Sequence, residues 1–236
     1  MILTENEKKA INSKLSKFLK QYGEYYKEDP AMYYYIQKMF IPSLELGASS
    51  DILIEIYQEL ELSKYLRNDY YSTFIKHMQE EFEIDNNLLE VACGIIPSLA
   101  NKIRKQQKSG SITVMDPMVI EEYKADITIK KETFTEKTDV SKYDLIYSFY
   151  PCESTPEMIK SSFKNDKDLF LELCGCVHTP GDYLTEKKFP NNYRVYLEYL
   201  EYLLAKLSTS NRKYEITNYS DLDFKVIKTY KSRNYM

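Results

Sequence analysis

The chain of 236 residues is long enough to bury a core of its own, and 43% hydrophobic with 29% charged residues is a globular balance that argues against disorder as the main state. No run approaches the ~18 consecutive apolar residues of a membrane span, and the opening Met1-Ile-Leu-Thr-Glu-Asn-Glu-Lys-Lys lacks the basic-then-apolar layout of a secretory leader, so the expected address is cytoplasmic. The net charge of −4 is unevenly spread: residues 1–86 carry 10 basic against 15 acidic side chains, which argues against a nucleic-acid partner on that part.

The first 84 residues read as helices only. Ile11, Leu15, Phe18 and Leu19 recur at helical spacing, as do Met32, Tyr35, Ile36, Met39 and Phe40 before Pro42 ends the run. A third helix starts after the capping pair Ser49-Ser50 and carries Ile52, Leu53, Ile56, Tyr57 and Leu60. A fourth begins near Asp69 and carries Tyr71, Phe74, Ile75, Met78 and Phe82. These predict a helical N-terminal cap domain over residues 1–84.

From residue 85 the pattern changes to short apolar runs alternating with helical ones. Strands are predicted at 88–92, 111–116, 126–134, 143–149 and 168–174, with helices at 97–107, around 119–123, from Pro156, and at about 191–207. Two further strand-like runs, 214–219 and 224–230, are joined by only Ser220-Asp-Leu-Asp223. Alternating strands and helices imply an α/β domain with a parallel sheet, and a link too short for a crossover helix makes the last two strands antiparallel neighbours.

A strand ending in an acid, a turn containing glycine, a helix start and a second strand ending in an acid are the parts needed to hold a nucleoside. The glycine lets backbone approach the ligand, the helix start offers N–H groups, and the second acid accepts hydrogen bonds from ribose hydroxyls. Leu89-Glu90-Val91-Ala92-Cys93-Gly94-Ile95-Ile96-Pro97 followed by Val114-Met115-Asp116 has these parts in order, with Asp116 lying 22 residues beyond Gly94.

In these residues the chain resembles the class I S-adenosylmethionine-dependent methyltransferases. Glu90-Val-Ala-Cys-Gly94 looks like their first motif, Asp116 falls where they place the ribose-binding acid, and Tyr143-Asp-Leu-Ile-Tyr-Ser-Phe-Tyr-Pro151 resembles the fourth-strand segment that borders the substrate. The resemblance implies a Rossmann-like methyltransferase sheet over residues 85–236, mostly parallel with its last strand antiparallel. It also implies S-adenosyl-L-methionine as cofactor, held by Glu90, Ala92, Gly94, Met115 and Asp116, with Thr133 and Phe134 beside the adenine and Ser148 at the fourth strand's end. Tyr150 and His178 are then the candidate catalytic side chains, and the expected reaction is methylation of a small molecule. The chain departs from the family where Ala92 and Ile96 replace glycines.

Gly94-Ile-Ile-Pro97 also resembles a Gly-x-x-Pro turn of two subfamilies with helical N-terminal domains, the ribosomal-RNA methyltransferases of aminoglycoside resistance and the nicotianamine synthases. The acidic N-terminal part disfavours the first. An aminopropyl transferase like the second, and a non-catalytic methyltransferase-like binding protein, stand as alternatives.

Cys93, Cys152, Cys174 and Cys176 are too few for a disulfide framework and read as reduced thiols. The first three follow strands that neighbour one another in a doubly wound sheet, so with His178 they could gather in one crevice as soft ligands or a nucleophile. Packing is the ordinary role of such thiols, and no metal site is expected. His77 reads as a surface or core residue of its helix. Tyr196, Tyr199, Leu200 and Leu203 read as packing against the sheet, and Tyr33 and Tyr34 as candidates for a substrate pocket.

Overall fold

The computed structural model describes residues 68–94, 97–119, 126–174, 193–222 and 224–232, with the backbone alone for 68–70 and Cys152. The chain divides into two compact units, residues 1–73 with 120–125, and residues 74–119 with 126–236. Almost all described residues belong to the second. The expected helices carrying Ile11 to Leu60, the short helix near 119–123, and Tyr33 and Tyr34 lie outside the described residues.

The elements, in chain order, are α1 (Asn68–Glu81), β1 (Asn87–Val91), α2 (Ser98–Arg104), β2 (Ser111–Met115), β3 (Thr128–Lys130), β4 (Leu145–Phe149), α3 (Thr155–Lys164), β5 (Asp168–Glu172), α4 (Tyr193–Leu207), β6 (Arg212–Thr217) and β7 (Val226–Lys231). They form one seven-stranded sheet in the order β3-β2-β1-β4-β5-β7-β6. Every pairing from β3 to β5 is parallel, and β7 runs antiparallel to both β5 and β6.

The central strands are nearly continuous apolar runs because both faces of the sheet are covered. Leu89 of β1, Ile146 of β4, Leu169 and Leu171 of β5 and Ile227 of β7 pack with Met158 and Ile159 of α3 and with Tyr196, Leu200 and Leu204 of α4. Helix α4 buries Val195, Tyr196, Tyr199, Leu200, Leu203 and Leu204, a stripe at helical spacing, so the tyrosines expected to pack do so. On the opposite face, Phe74 of α1 stands edge-on to Phe149 at 5.5 Å and to Phe170 at 5.0 Å. Lys228 of β7 holds the end of α1 through Glu81 at 2.6 Å and is also bonded to Glu215 at 3.0 Å. His77 is buried, stacked on Tyr219 and bonded to Glu80 and Asp221.

The third strand is far shorter than the 126–134 expected. Its last ladder bond is the Asp116 N–H to the Lys130 carbonyl at 3.2 Å, and β2 then turns at Pro117, which has no N–H to offer. Without a partner, Lys131, Glu132 and Thr133 lie exposed, and Phe134 turns back into the core. Thr133 and Phe134 therefore follow the strand at a distance and do not sit on its end.

Chain order reverses between β1 and β4, since β1, β2 and β3 build out one way and β4 and β5 the other. Loops leaving the carboxyl ends of two such strands part to opposite faces and open a crevice between them, the usual ligand position in open α/β sheets. Among the described residues, no helix is long and apolar enough to cross a membrane.

Candidate active site

Glu90, the fourth residue of β1, points to the face shared by Tyr147, its register partner on β4. It is 3% exposed, and the Tyr147 hydroxyl donates to its Oε2 at 3.3 Å. Burial pushes its carboxyl up to about 8, against the pull of the Tyr147 hydroxyl and of the Ala100 N–H in the first turn of α2, with the Asp116 charge adding to the rise. The same burial, reinforced by Glu90, pushes the Tyr147 phenol well above its ordinary range, so the phenol keeps its proton and remains the donor.

Past β1 the chain turns sharply. Ala92 sits at a φ of 57° and Gly94 at 73°, the left-handed region that glycine enters freely and alanine only at a cost of about 1–2 kcal/mol. The Ala92 N–H still donates to the Met115 carbonyl at 2.9 Å, so the turn begins while the β1–β2 ladder is intact. Alanine thus takes a conformation the family resemblance reserves for glycine; Ile95 and Ile96 lie outside the described residues.

The turn closes on Asp116. The Gly94 N–H donates to its Oδ2 at 2.9 Å and the Met118 N–H to its Oδ1 at 2.7 Å. Asp116 is 8% exposed; burial raises its carboxyl while the two N–H donors pull it back down. The two expected acids and the expected glycine are therefore brought together. Glu90 and Asp116 are held by a phenol and backbone N–H groups, and no ion pair joins either to a cation among the described residues.

The remaining candidates fall around this centre. Met115 is buried at the end of β2. Ser148 is wholly buried on β4, where its hydroxyl donates to the Val91 carbonyl at 2.6 Å and ties the two strands at the point where they part. Tyr150 directly follows β4 at a φ of 62°. His178, Cys176 and the side chain of Cys152 lie outside the described residues. Cys93 and Cys174 are buried, and burial together with Glu90 and Asp116 pushes the Cys93 thiol well up, away from the thiolate a nucleophile needs. Among the described residues no group of three or more His, Cys, Asp or Glu side chains is arranged to hold a metal ion.

Tyr147 is a member of the site that motif reading passes over. Its signal was present, since pairing the apolar run of β4 beside β1 sets the tyrosine opposite the acid.

No protein-family model matches the sequence, and no curated protein matches it. Solved structures do. A candidate O-methyltransferase of Nostoc punctiforme PCC 73102 aligns with a TM-score of 0.50 at 12% identity, over 72% of this chain and 58% of that one. The plantazolicin methyltransferase BpumL, solved with SAH, aligns with a TM-score of 0.49 at 14% identity over 95% and 100% of the two chains. The magnesium protoporphyrin IX methyltransferase of Synechocystis PCC 6803, also solved with SAH, aligns with a TM-score of 0.43 at 14% identity over 70% and 84%. Identities this low speak to the fold alone, and with the strand order they make it the Rossmann-like fold of the class I S-adenosylmethionine-dependent methyltransferases.

Proposed function

We propose that the chain is an S-adenosylmethionine-dependent methyltransferase acting on a small molecule. The observation that carries this reading is the pair of buried acids at the ends of the first two strands, held by neutral donors and facing no cation among the described residues. A dinucleotide would bring its pyrophosphate to a helix start whose Ala100 N–H is already taken by the Glu90 carboxyl. A ligand carrying a sulfonium and an ammonium group instead brings the positive charge that the acids lack.

The residues fit such a ligand part by part. Asp116 uses one acceptor site on each oxygen for the turn and keeps others for the hydroxyls of a ribose. Ala92 and Gly94 let backbone lie against the ligand, and Glu90 supports the turn and faces the methionine portion. Met115 and Ser148 complete the proposed cofactor set. When bound, the sulfonium supplies an electrophilic methyl group, whose bonding electron pair stays with sulfur on transfer. The chain's own task is then to hold the nucleophile in line, an effect that alone can supply much of the acceleration. Tyr150 and His178 are the side chains proposed to hold the proton the nucleophile sheds.

Calorimetric titration with S-adenosylhomocysteine tests the reading. Binding at one site per chain is expected, weakened by roughly tenfold or more in Asp116→Ala as the sugar loses its acceptor. No heat and no thermal shift would leave a non-catalytic relative. In turnover, release of S-adenosylhomocysteine marks methyl transfer, and release of methylthioadenosine marks aminopropyl transfer.

A further inference from the structure

The amino edge of the sheet holds a cavity of about 440 Å³ that the cofactor reading does not use. Phe163 in the last turn of α3 and Leu207 at the end of α4 supply apolar lining, and Asp166, Asn211, Arg212 and Lys231 line it with polar groups. A space of this size suits a small organic molecule. It lies where β5 and β6 begin and β7 ends, whereas the crevice between β1 and β4 opens at the carboxyl ends of those strands.

Arg212 is the buried part of this lining, its side chain 4% exposed. Nη1 meets Asp166 at 3.0 Å, and Nη2 meets Asp168, which does not line the cavity, at 3.3 Å. Nη2 also donates to the Lys167 carbonyl and to Thr229, and the guanidinium carbon stands 6.0 Å from the centre of the Phe163 ring. The remaining nitrogen, Nε, is buried and has no hydrogen-bond partner among the described residues. A buried donor left unpaired is costly, and native structures seldom keep one without a use.

Two more donors line the same space. Lys231 meets Asp166 Oδ2 at 2.5 Å, which occupies one of the three N–H groups of an ammonium. The Asn211 Oδ1 accepts the Ser210 hydroxyl at 3.4 Å, and its amide nitrogen makes no bond among the described residues. Asp166 already has a cation on each oxygen. The unspent capacity of the lining is therefore N–H groups, two of the three carriers being cationic. A cationic guest meets Arg212 and Lys231, and a neutral one leaves their charge unused. An oxyanion accepts from both through charge-assisted bonds.

We propose that this cavity binds a small organic oxyanion, a carboxylate or phosphate head group on an apolar body, with the head on Arg212, Lys231 and Asn211 and the body against Phe163 and Leu207. The site is separate from the crevice of the two acids and stands whether or not the chain transfers methyl groups.

Ligand-observed NMR on the full chain at pH 7 and low salt tests it with matched probes, 3-phenylpropionate against 3-phenylpropanol and phenyl phosphate against phenol. At least one anionic probe is expected to bind roughly tenfold more tightly than its neutral partner, and the pair that shows the preference identifies the head group. Saturating S-adenosylhomocysteine is expected to leave that affinity within about twofold. Lys231→Gln, a change at an exposed position, is expected to cut the preference to about threefold or less, while Lys213→Gln, on β6 outside the cavity, keeps it. Equal or weaker binding of both anionic probes by the parent chain overturns the proposal whatever the variants do. A preference that survives in Lys231→Gln or falls equally in Lys213→Gln overturns it too, and so does displacement of the anion by S-adenosylhomocysteine, which would put the anion in the crevice.

Discussion

At the amino edge of the sheet Arg212 enters β6 with its side chain 4% exposed and meets Asp166 at 3.0 Å and Asp168 at 3.3 Å, while at the carboxyl edge Glu90 and Asp116 are buried without a cation beside them among the described residues. Around Arg212 nearly every charge is answered. Lys231 adds a second cation to Asp166 at 2.5 Å, and the guanidinium also donates to the Lys167 carbonyl and to Thr229, itself bonded to Ser162 of α3. At the amino edge charge is met by opposite charge, whereas at the carboxyl edge Glu90 and Asp116 lean on a phenol and backbone N–H groups.

The difference is open to test by changing the charge at either edge, and the largest effect is expected at Glu90. Its folded pKa of about 8 lies above the ordinary 4.5, so the folded chain holds a proton that the unfolded chain gives up between those values. The associated stability is therefore full below about pH 4.5 and is lost as pH rises through about 8. At 1.36 kcal/mol per unit the loss is about 5 kcal/mol at most. Glu90→Gln has no such proton to lose. It is expected to melt close to the parent at pH 5 and well above it at pH 8.5, and parallel melting profiles across that range would mean that Glu90 has a cation partner after all.

The amino edge should respond in the opposite sense and by less. Arg212→Ala takes one donor from Asp168 and one from the Thr229 hydroxyl, and breaking a buried ion pair costs about 3–5 kcal/mol. Here the side chains of Asp166 and Asp168 remain 53% and 36% exposed and can recover water, which lowers the expected loss to about 2–3 kcal/mol. Denaturant melts would read that loss at neutral pH, and affinity for S-adenosylhomocysteine per folded molecule should not move. A parallel loss of affinity would show the two edges to be coupled.

The contrast also explains which parts were legible in the sequence. Glu90, Gly94 and Asp116 come from one β–loop–α–β unit, where spacing and geometry are tied by local backbone, and the expected trio meets as the motif requires. The Arg212 network joins residues 44 and 46 positions apart and leaves no local signature. Glu172 and Phe224 meet across 52 positions for the same reason. The overlong third strand has a different origin: the run from Asp126 to Phe134 has strand-like composition to its end, but strand length is set by the partner, and β2 stops at Met115. Tyr147 needed only the register of β4 beside β1, which the doubly wound order supplies.

Backbone strain sharpens the comparison at its finest scale. Among the described residues, the non-glycine residue in left-handed backbone at the amino edge is Asp166, at a φ of 53°, a residue type that tolerates it; at the carboxyl edge the positions fall to Ala92 and Tyr150, which do not. Ala92→Gly relieves the strain, worth about 1–2 kcal/mol, but adds unfolded-chain entropy of about 0.5–1 kcal/mol and gives up a partly buried methyl. The strain term is the larger, so a net gain of about 0.5 kcal/mol is expected, read as a small rise in melting temperature. Because the Ala92 N–H to Met115 and Gly94 N–H to Asp116 bonds already fix the turn, affinity for S-adenosylhomocysteine should stay within about twofold. A destabilised Ala92→Gly would show that the methyl packs more tightly than its strain costs, and a large gain in affinity would show that alanine at this turn, and not the acids, limits how closely a ligand approaches the loop.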